Sequence, residues 1–185
     1  MNGKQLKNSI LQWAIQGKLV PQDPNDEPAS VLLDKIRQEK ERLIKEKKIK
    51  RDKNASIIYR GEDNSYYEKF ADGKVVCIDD EIPFAIPESW QWERWGNLSY
   101  SIQYGYNAPA EETGDIRMVR ISDIQHGDVL WATVPFCHIN ESEIDTYLLQ
   151  KDDILFARTG GTVGKSFLVK DVPYPSIYAG YLIRT

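Results

Sequence analysis

The sequence predicts an α+β protein: a long spacer or coiled-coil-type helix beside a mostly β domain with a curved sheet. Three observations carry that reading. Residues 1–53 repeat apolar side chains at helical spacing, and residues 80–185 break into short β-branched and aromatic runs between turn signals. Residues 54–79 are polar, tyrosine-containing and broken by Gly61 and Gly73, so they follow neither rule. The expected division is therefore a helical segment over 1–53, a linker or loose hairpin over 54–79 and a β-rich domain over 80–185.

In "KQLKNSILQWAIQG" the apolar Leu6, Ile10, Leu11, Trp13 and Ala14 share one helical face, and Gly17 sits where the helix can stop. The prolines of "VPQDPNDEPAS" then break the chain and prepare a second helix, with Asn25 or Asp26 as its cap and Pro28 in its first turn. From Pro28 to Lys50, Leu32, Ile36, Leu43 and Ile49 form a narrow apolar stripe. A stripe that narrow wants a partner helix, which makes these four the expected subunit-interface residues and leaves room for self-association. The alternative is a helix lying on its own domain, since Glu39-Lys40 interrupts the stripe.

Beyond the linker, "DDEIPFAIPESWQWERWG" reads as an extended segment whose Trp90, Trp92 and Trp95 are core and docking residues. Strand-like runs follow in "NLSYSIQYG", "IRMVRISDI", "VLWATVPF", "DILFAR", "SFLVK" and "SIYAGYLIRT". One short helix, "NESEIDTYLL", interrupts them, with Asn140 and Glu143 at capping-box spacing.

Hydrophobic residues at 41% and charged residues at 28% exclude a disordered chain. No apolar run reaches the roughly 18 residues of a membrane span, and the N-terminal stretch lacks the form of a secretory signal, so a cytoplasmic protein without a membrane partner is expected. Cys77 and Cys137 stand apart and read as free thiols. With His126 and His138 as the only histidines, neither a metal site nor any cofactor is expected. The net charge of -4 hides an asymmetry: residues 42–53 hold seven basic and two acidic side chains, whereas residues 54–185 hold eleven basic and twenty acidic. The basic run either meets phosphates or is the solvated face of a helix.

The stretch "ILFARTGGTVGKSFLV" superficially suggests a phosphate-binding loop. The pattern GxxxxGK[ST] requires glycine at position 159, which is Thr159, and the Lys165-Ser166 pair opens a β-rich run rather than a helix. The glycines read better as closing a hairpin between "DILFAR" and "SFLVK". Asp152-Asp153 likewise reads as a turn rather than a nuclease carboxylate pair, and no catalytic constellation emerges.

Several blocks, in order, resemble the DNA specificity subunit of type I restriction-modification systems. They are "AIQGKLVPQDPNDEPASVLLDKIRQEKERLIKE", "EIPFAIPESWQWERWGNL", "VRISDIQHGDV", "YLLQKDDILFARTGGTVGKSFLV" and "IYAGYLIRT". The resemblance implies two target-recognition domains joined by conserved helices, each domain reading half of a split double-stranded DNA site, with methylation and restriction subunits as partners. Against that pattern the chain carries a helical conserved segment and the first part of one recognition domain, either as a fragment or as a short form working with a second copy. The expected role is a non-catalytic sequence reader and scaffold; the alternative is an interaction module that binds methylation subunits without reading DNA.

Direct readout needs Arg, Lys, Asn or Gln at a groove, or aromatic side chains testing its shape. The expected DNA-binding residues are accordingly Gln103, Tyr104, Tyr106, Asn107, Arg117 and Arg120 from the tip-like "SIQYGYNAPAEETGDIRMVR". Arg158, Thr159, Gly160, Gly161, Thr162 and Lys165 of the glycine loop join them through phosphate oxygens. A turn with half-buried rings is the competing reading for Tyr104 and Tyr106, and strand alternation sends Arg117 and Arg120 to opposite faces.

Overall fold

Asn2 opens the first helix in a computed structural model that describes residues 2–185. Its side chain accepts from the Gln5 amide while the Gln5 side chain accepts from the Asn2 amide, a reciprocal cap that starts Gly3–Ile15 (α1). The helix stops where Gly17 takes a left-handed conformation and the Lys18 amide returns to the Trp13 carbonyl. None of its residues is buried, and Leu6, Leu11 and Trp13 are exposed.

The second helix, Ala29–Lys45 (α2), is shorter at both ends than its sequence pattern suggests. Asn25 and Asp26 belong to a turn organised by Asp23, and Pro28 occupies the flanking position without a side-chain cap. The first amide, of Ala29, is satisfied instead by the Ser89 carbonyl. At the other end Lys47 is left-handed and the Lys48 amide reaches back to Leu43, so Ile49 falls beyond the helix.

Residues 54–79, read from sequence as a linker or loose hairpin, contain a three-stranded antiparallel sheet of Ser56–Arg60 (β1), Tyr66–Phe70 (β2) and Val75–Cys77 (β3). Glu68 lies buried in β2 and accepts from Ser56 Oγ and from Arg94, which also pairs with Glu81. Leu33, Ile58 and Ile78 are the buried apolar side chains of this unit among the described residues. Trp92 packs on Phe84 with ring centroids 5.2 Å apart, while Trp90 donates to Gln22 and stays largely exposed. The helical turn Trp95–Leu98 (α3) closes this unit, which ends at Tyr100. "NLSYSIQYG" therefore begins as helix and becomes strand only at Gln103–Tyr104 (β4).

Ser101–Thr185 forms a second unit. After β4 come Ile116–Val119 (β5), Ile124–Gln125 (β6), Asp128–Val129 (β7), Phe136–Cys137 (β8) and the helix Glu141–Tyr147 (α4). Ile154–Ala157 (β9), Ser166–Leu168 (β10), Ser176–Tyr178 (β11) and Leu182–Arg184 (β12) complete it. One sheet has the order β10-β9-β12-β4 and is antiparallel throughout; another has the order β11-β5-β8, with β11 parallel to β5; β6 and β7 form a separate pair. Along β5, Ile116 and Met118 enter one apolar cluster with Cys137 and Ile177, whereas Val119 enters the other with Leu155, Tyr178 and Leu182. The β11-β5-β8 sheet thus lies between the two clusters, as period-two alternation requires when both faces are covered. Asn140 does stand at the start of α4, but its side-chain amide donates to the Glu143 carboxylate instead of completing a capping box. Helices and open sheets together establish the α+β class.

Candidate nucleic-acid interface

The hairpin anticipated from the glycines forms: β9 pairs antiparallel with β10, and Gly160 and Gly164 take positive φ angles of 72° and 82°. The loop is held by Ala157 N–H to Lys165 O and Gly164 N–H to Ala157 O, both 2.9 Å. Ser166 opens β10 and no helix follows the Lys165-Ser166 pair, so the geometry needed for nucleotide phosphates is absent. Thr159, Gly160, Gly161 and Lys165 are exposed, and Thr162 is partly covered. Lys165 and Thr162 also line a cavity of about 230 Å³ with Ile121, Ile124 and His126.

Arg158 leaves β9 at the same end of the sheet. Its backbone amide donates to Tyr181 O at 3.1 Å, its Nε donates to Gly180 O at 2.9 Å, and its guanidinium lies 4.6 Å from the centre of the Tyr104 ring. Tyr104 reaches it because β12 stands between β9 and β4, with Ile183 opposite both Phe156 and Tyr104. Next in the chain, Gly105 lets the backbone press against residues 178–179, where a Cβ would stand 2.3 Å from both carbonyl oxygens. The fold therefore gathers Tyr104, Arg158 and the loop 159–165 at one end of the four-stranded sheet. Tyr104 is 60% exposed there.

The remaining expected readers are placed differently. Gln103 accepts from Arg184 Nη2 at 2.9 Å, and Arg184 also donates to the carbonyls of Leu148 and Thr146. Tyr106 packs edge-on against Tyr147 with centroids 5.2 Å apart, and this partial burial raises its hydroxyl above the usual tyrosine range. Asn107 is exposed. Arg117 is spent inside the fold, donating to the carbonyls of Trp131 and Val134 between the rings of Phe136 and Tyr174. Arg120 grips the buried carboxylate of Asp123 through Nε and Nη2, which raises its own pKa further. Arg184 carried no warning in the sequence; its role follows only from strand pairing that brings Gln103 and β12 together.

On α2, Leu33 is buried, and Arg37, Lys40 and Ile44 are half-buried as are Ile36 and Leu43 of the anticipated stripe. Arg37 pairs with the buried Glu93 at 2.8 Å, and Lys40 donates to the carbonyls of Gly96, Asn97 and Ser99. Burial lowers the Lys40 pKa, with Asp52 and Glu93 opposing the shift. Leu32 is 53% exposed, while Ile36 and Leu43 are half-buried.

Over 157 aligned positions the chain is 40% identical to the type I restriction enzyme EcoAI specificity subunit of Escherichia coli, a match that takes in 82% of this chain and 23% of that protein. The type I restriction enzyme EcoEI specificity subunit of Escherichia coli is 32% identical over 189 positions, covering 97% of this chain and 28% of that protein. This chain is a relative of the type I restriction enzyme specificity subunits. It spans about a quarter of the length of these two relatives. No family model matches the sequence. Similarity to specificity subunits covers both units described here, so it takes in the β9–β10 loop as well as the N-terminal helices. No helix among the described residues is long and apolar enough to cross a membrane.

Proposed function

We propose that the chain is a non-catalytic DNA-sequence reader and scaffold of a type I restriction-modification complex, working in the cytoplasm. In this reading Ser101–Thr185 belongs to a target-recognition domain that reads one half of a split double-stranded site. The observation that carries it is the gathering of Tyr104, Arg158 and the exposed loop 159–165 on one end of a sheet, in a chain similar to specificity subunits. An aromatic ring, a guanidinium, hydroxyls and an ammonium together suit a groove and its bordering phosphates. Gln103, Tyr106, Arg117 and Arg120 then hold that domain together from within, and Asn107 remains beside it as an accessible amide.

Scaffolding falls to the first unit. Leu6, Leu11, Trp13, Val20 and Leu32 are exposed, which favours contact with other proteins such as the methylation and restriction subunits. Ile36, Leu43 and Ile49 contribute less to such a surface, being half-buried in this unit. The same exposed apolar set favours the second reading, an interaction module that binds methylation subunits and reads no DNA.

Selection from a random double-stranded pool separates the two. The chain, reconstituted with its methylation subunit, is expected to enrich a short half-site that the methylation subunit alone does not. A stable complex that enriches nothing would establish the interaction-only reading.

A further inference from the structure

Ser101–Thr185 contains four arginines, and three are partly buried against partners within the fold. Arg117 is held by two carbonyls and two rings, Arg120 by Asp123, and Arg184 by Gln103 and two carbonyls. Arg158 differs. Its Nε is committed to Gly180 O and its Cζ lies over the Tyr104 ring, while Nη1 and Nη2 have no partner among the described residues. The result is an exposed fork with one unspent edge, Nη1–Nη2, anchored through Nε before any ligand arrives.

We propose that Arg158 is a specificity-determining residue that reads a guanine in the major groove, its two terminal nitrogens donating to O6 and N7 of the base; this rests on the reading of the chain as a DNA-sequence reader. Guanine alone presents two adjacent acceptors on that edge, and the bidentate arginine contact is the commonest specific one. A phosphate oxygen pair accepts the same fork. Two observations favour the base. Residues 101–185 hold eleven acidic against seven basic side chains, which is not the composition of a surface that binds through backbone charge. Phosphate attraction is also served by any mobile cation, such as the exposed Lys165 of the adjoining loop, whereas a fork fixed by a ring and a carbonyl gains only when its target has fixed geometry. Tyr104 is then a positioning residue: it aims Arg158.

The test uses the full chain assembled with its methylation subunit and the half-site that the wild-type complex selects, with each guanine replaced in turn by 7-deazaguanine, which lacks the N7 acceptor. One position is expected to weaken wild-type binding by about tenfold. Arg158→Met, which keeps the apolar stem and loses every donor, is expected to bind both DNAs alike and to relax selection at that base pair alone. Tyr104→Phe keeps the ring and is expected to retain the preference, whereas Tyr104→Ala is expected to reduce it. Unchanged melting of the variants ties these effects to recognition. If Arg158→Met leaves every base preference intact, or if it lowers affinity evenly across sequences and reduces the salt dependence by about one counterion, Arg158 holds a phosphate and the proposal falls. A wild-type complex that selects no sequence would overturn the reader itself, a distinct failure seen before any variant is made.

Discussion

Replacing Gly105 by alanine tests why Tyr104 lies where Arg158 can stack on it. The added Cβ would stand 2.3 Å from the carbonyl oxygens of both Tyr178 and Ala179, well under the 3.0 Å limit for real Cβ contacts. Those atoms belong to backbone, so relief requires the strand to retreat. Two hydrogen bonds stretch with it, Gly105 N–H to Leu182 O at 3.1 Å and Tyr106 N–H to Tyr178 O at 2.8 Å. At about 1 kcal/mol net for each bond and a further ~1 kcal/mol or more for overpacking, the loss is about 3 kcal/mol. For a unit of this size that lowers the melting temperature by roughly 12–24 °C. Thermal melting followed by circular dichroism measures it, with Gly161→Ala as control, because no atom lies within 4 Å of the Cβ position there and its φ is not positive. If Gly105→Ala melts within 2 °C of the wild type, the close approach does not set the position of this sheet edge.

Four further outcomes are expected. Arg94→Met leaves the buried Glu68 carboxylate without its main partner and should cost about 2 kcal/mol, less than for a fully buried pair because Arg94 is itself 40% exposed; a denaturant midpoint equal to that of the wild type would contradict this. The hydrogen bond from Arg94, aided by Ser56 and opposed by burial, holds Glu68 below its ordinary pKa of 4.5. Its stabilisation is therefore complete above that value and lost as pH falls through the lower folded pKa, so Glu68→Gln should flatten the acid limb of stability against pH; an identical acid limb in that variant would show that Glu68 does not contribute to it. Asp123→Ala, which strands the Arg120 guanidinium beside a site only 2% exposed, should destabilise by about 3 kcal/mol in urea, and a loss below 1 kcal/mol would rule out a structural role for the pair. Finally, Cys77 is exposed whereas Cys137 is buried with its thiol pKa raised by that burial, so a disulfide reagent should titrate one thiol in the native protein and two in denaturant; two fast thiols in the native state would contradict the placement of β8.

What the sequence disclosed, and what it hid, follows from where polar side chains end up. The α1 stop at Gly17 and the β9–β10 hairpin were legible because glycine at positive φ and strand periodicity are local signals. The half-burial of Arg37 and Lys40 on α2 was hidden because they are satisfied by Glu93 and by three carbonyls, and charged residues read as solvent-facing. The strands β1–β3 were obscured for the same reason: Glu68 sits at a core position that only Arg94, distant in sequence, makes tolerable. Within the site, residue chemistry nominated Arg117, Arg120 and Arg158 equally. Only the tertiary structure separates the exposed Arg158 from the two that are partly buried against their partners.

The most direct measurement of the central claim is photo-crosslinking in the complex assembled with the methylation subunit and its selected DNA. A benzophenone side chain would be placed at Val163, 63% exposed in the β9–β10 loop, and at Val75 in β3 as control. A DNA adduct from position 163 and none from position 75 is the expected result. DNA held by the complex with no adduct from position 163, or with one from position 75 alone, would contradict the assignment of this end of the sheet as the reading surface.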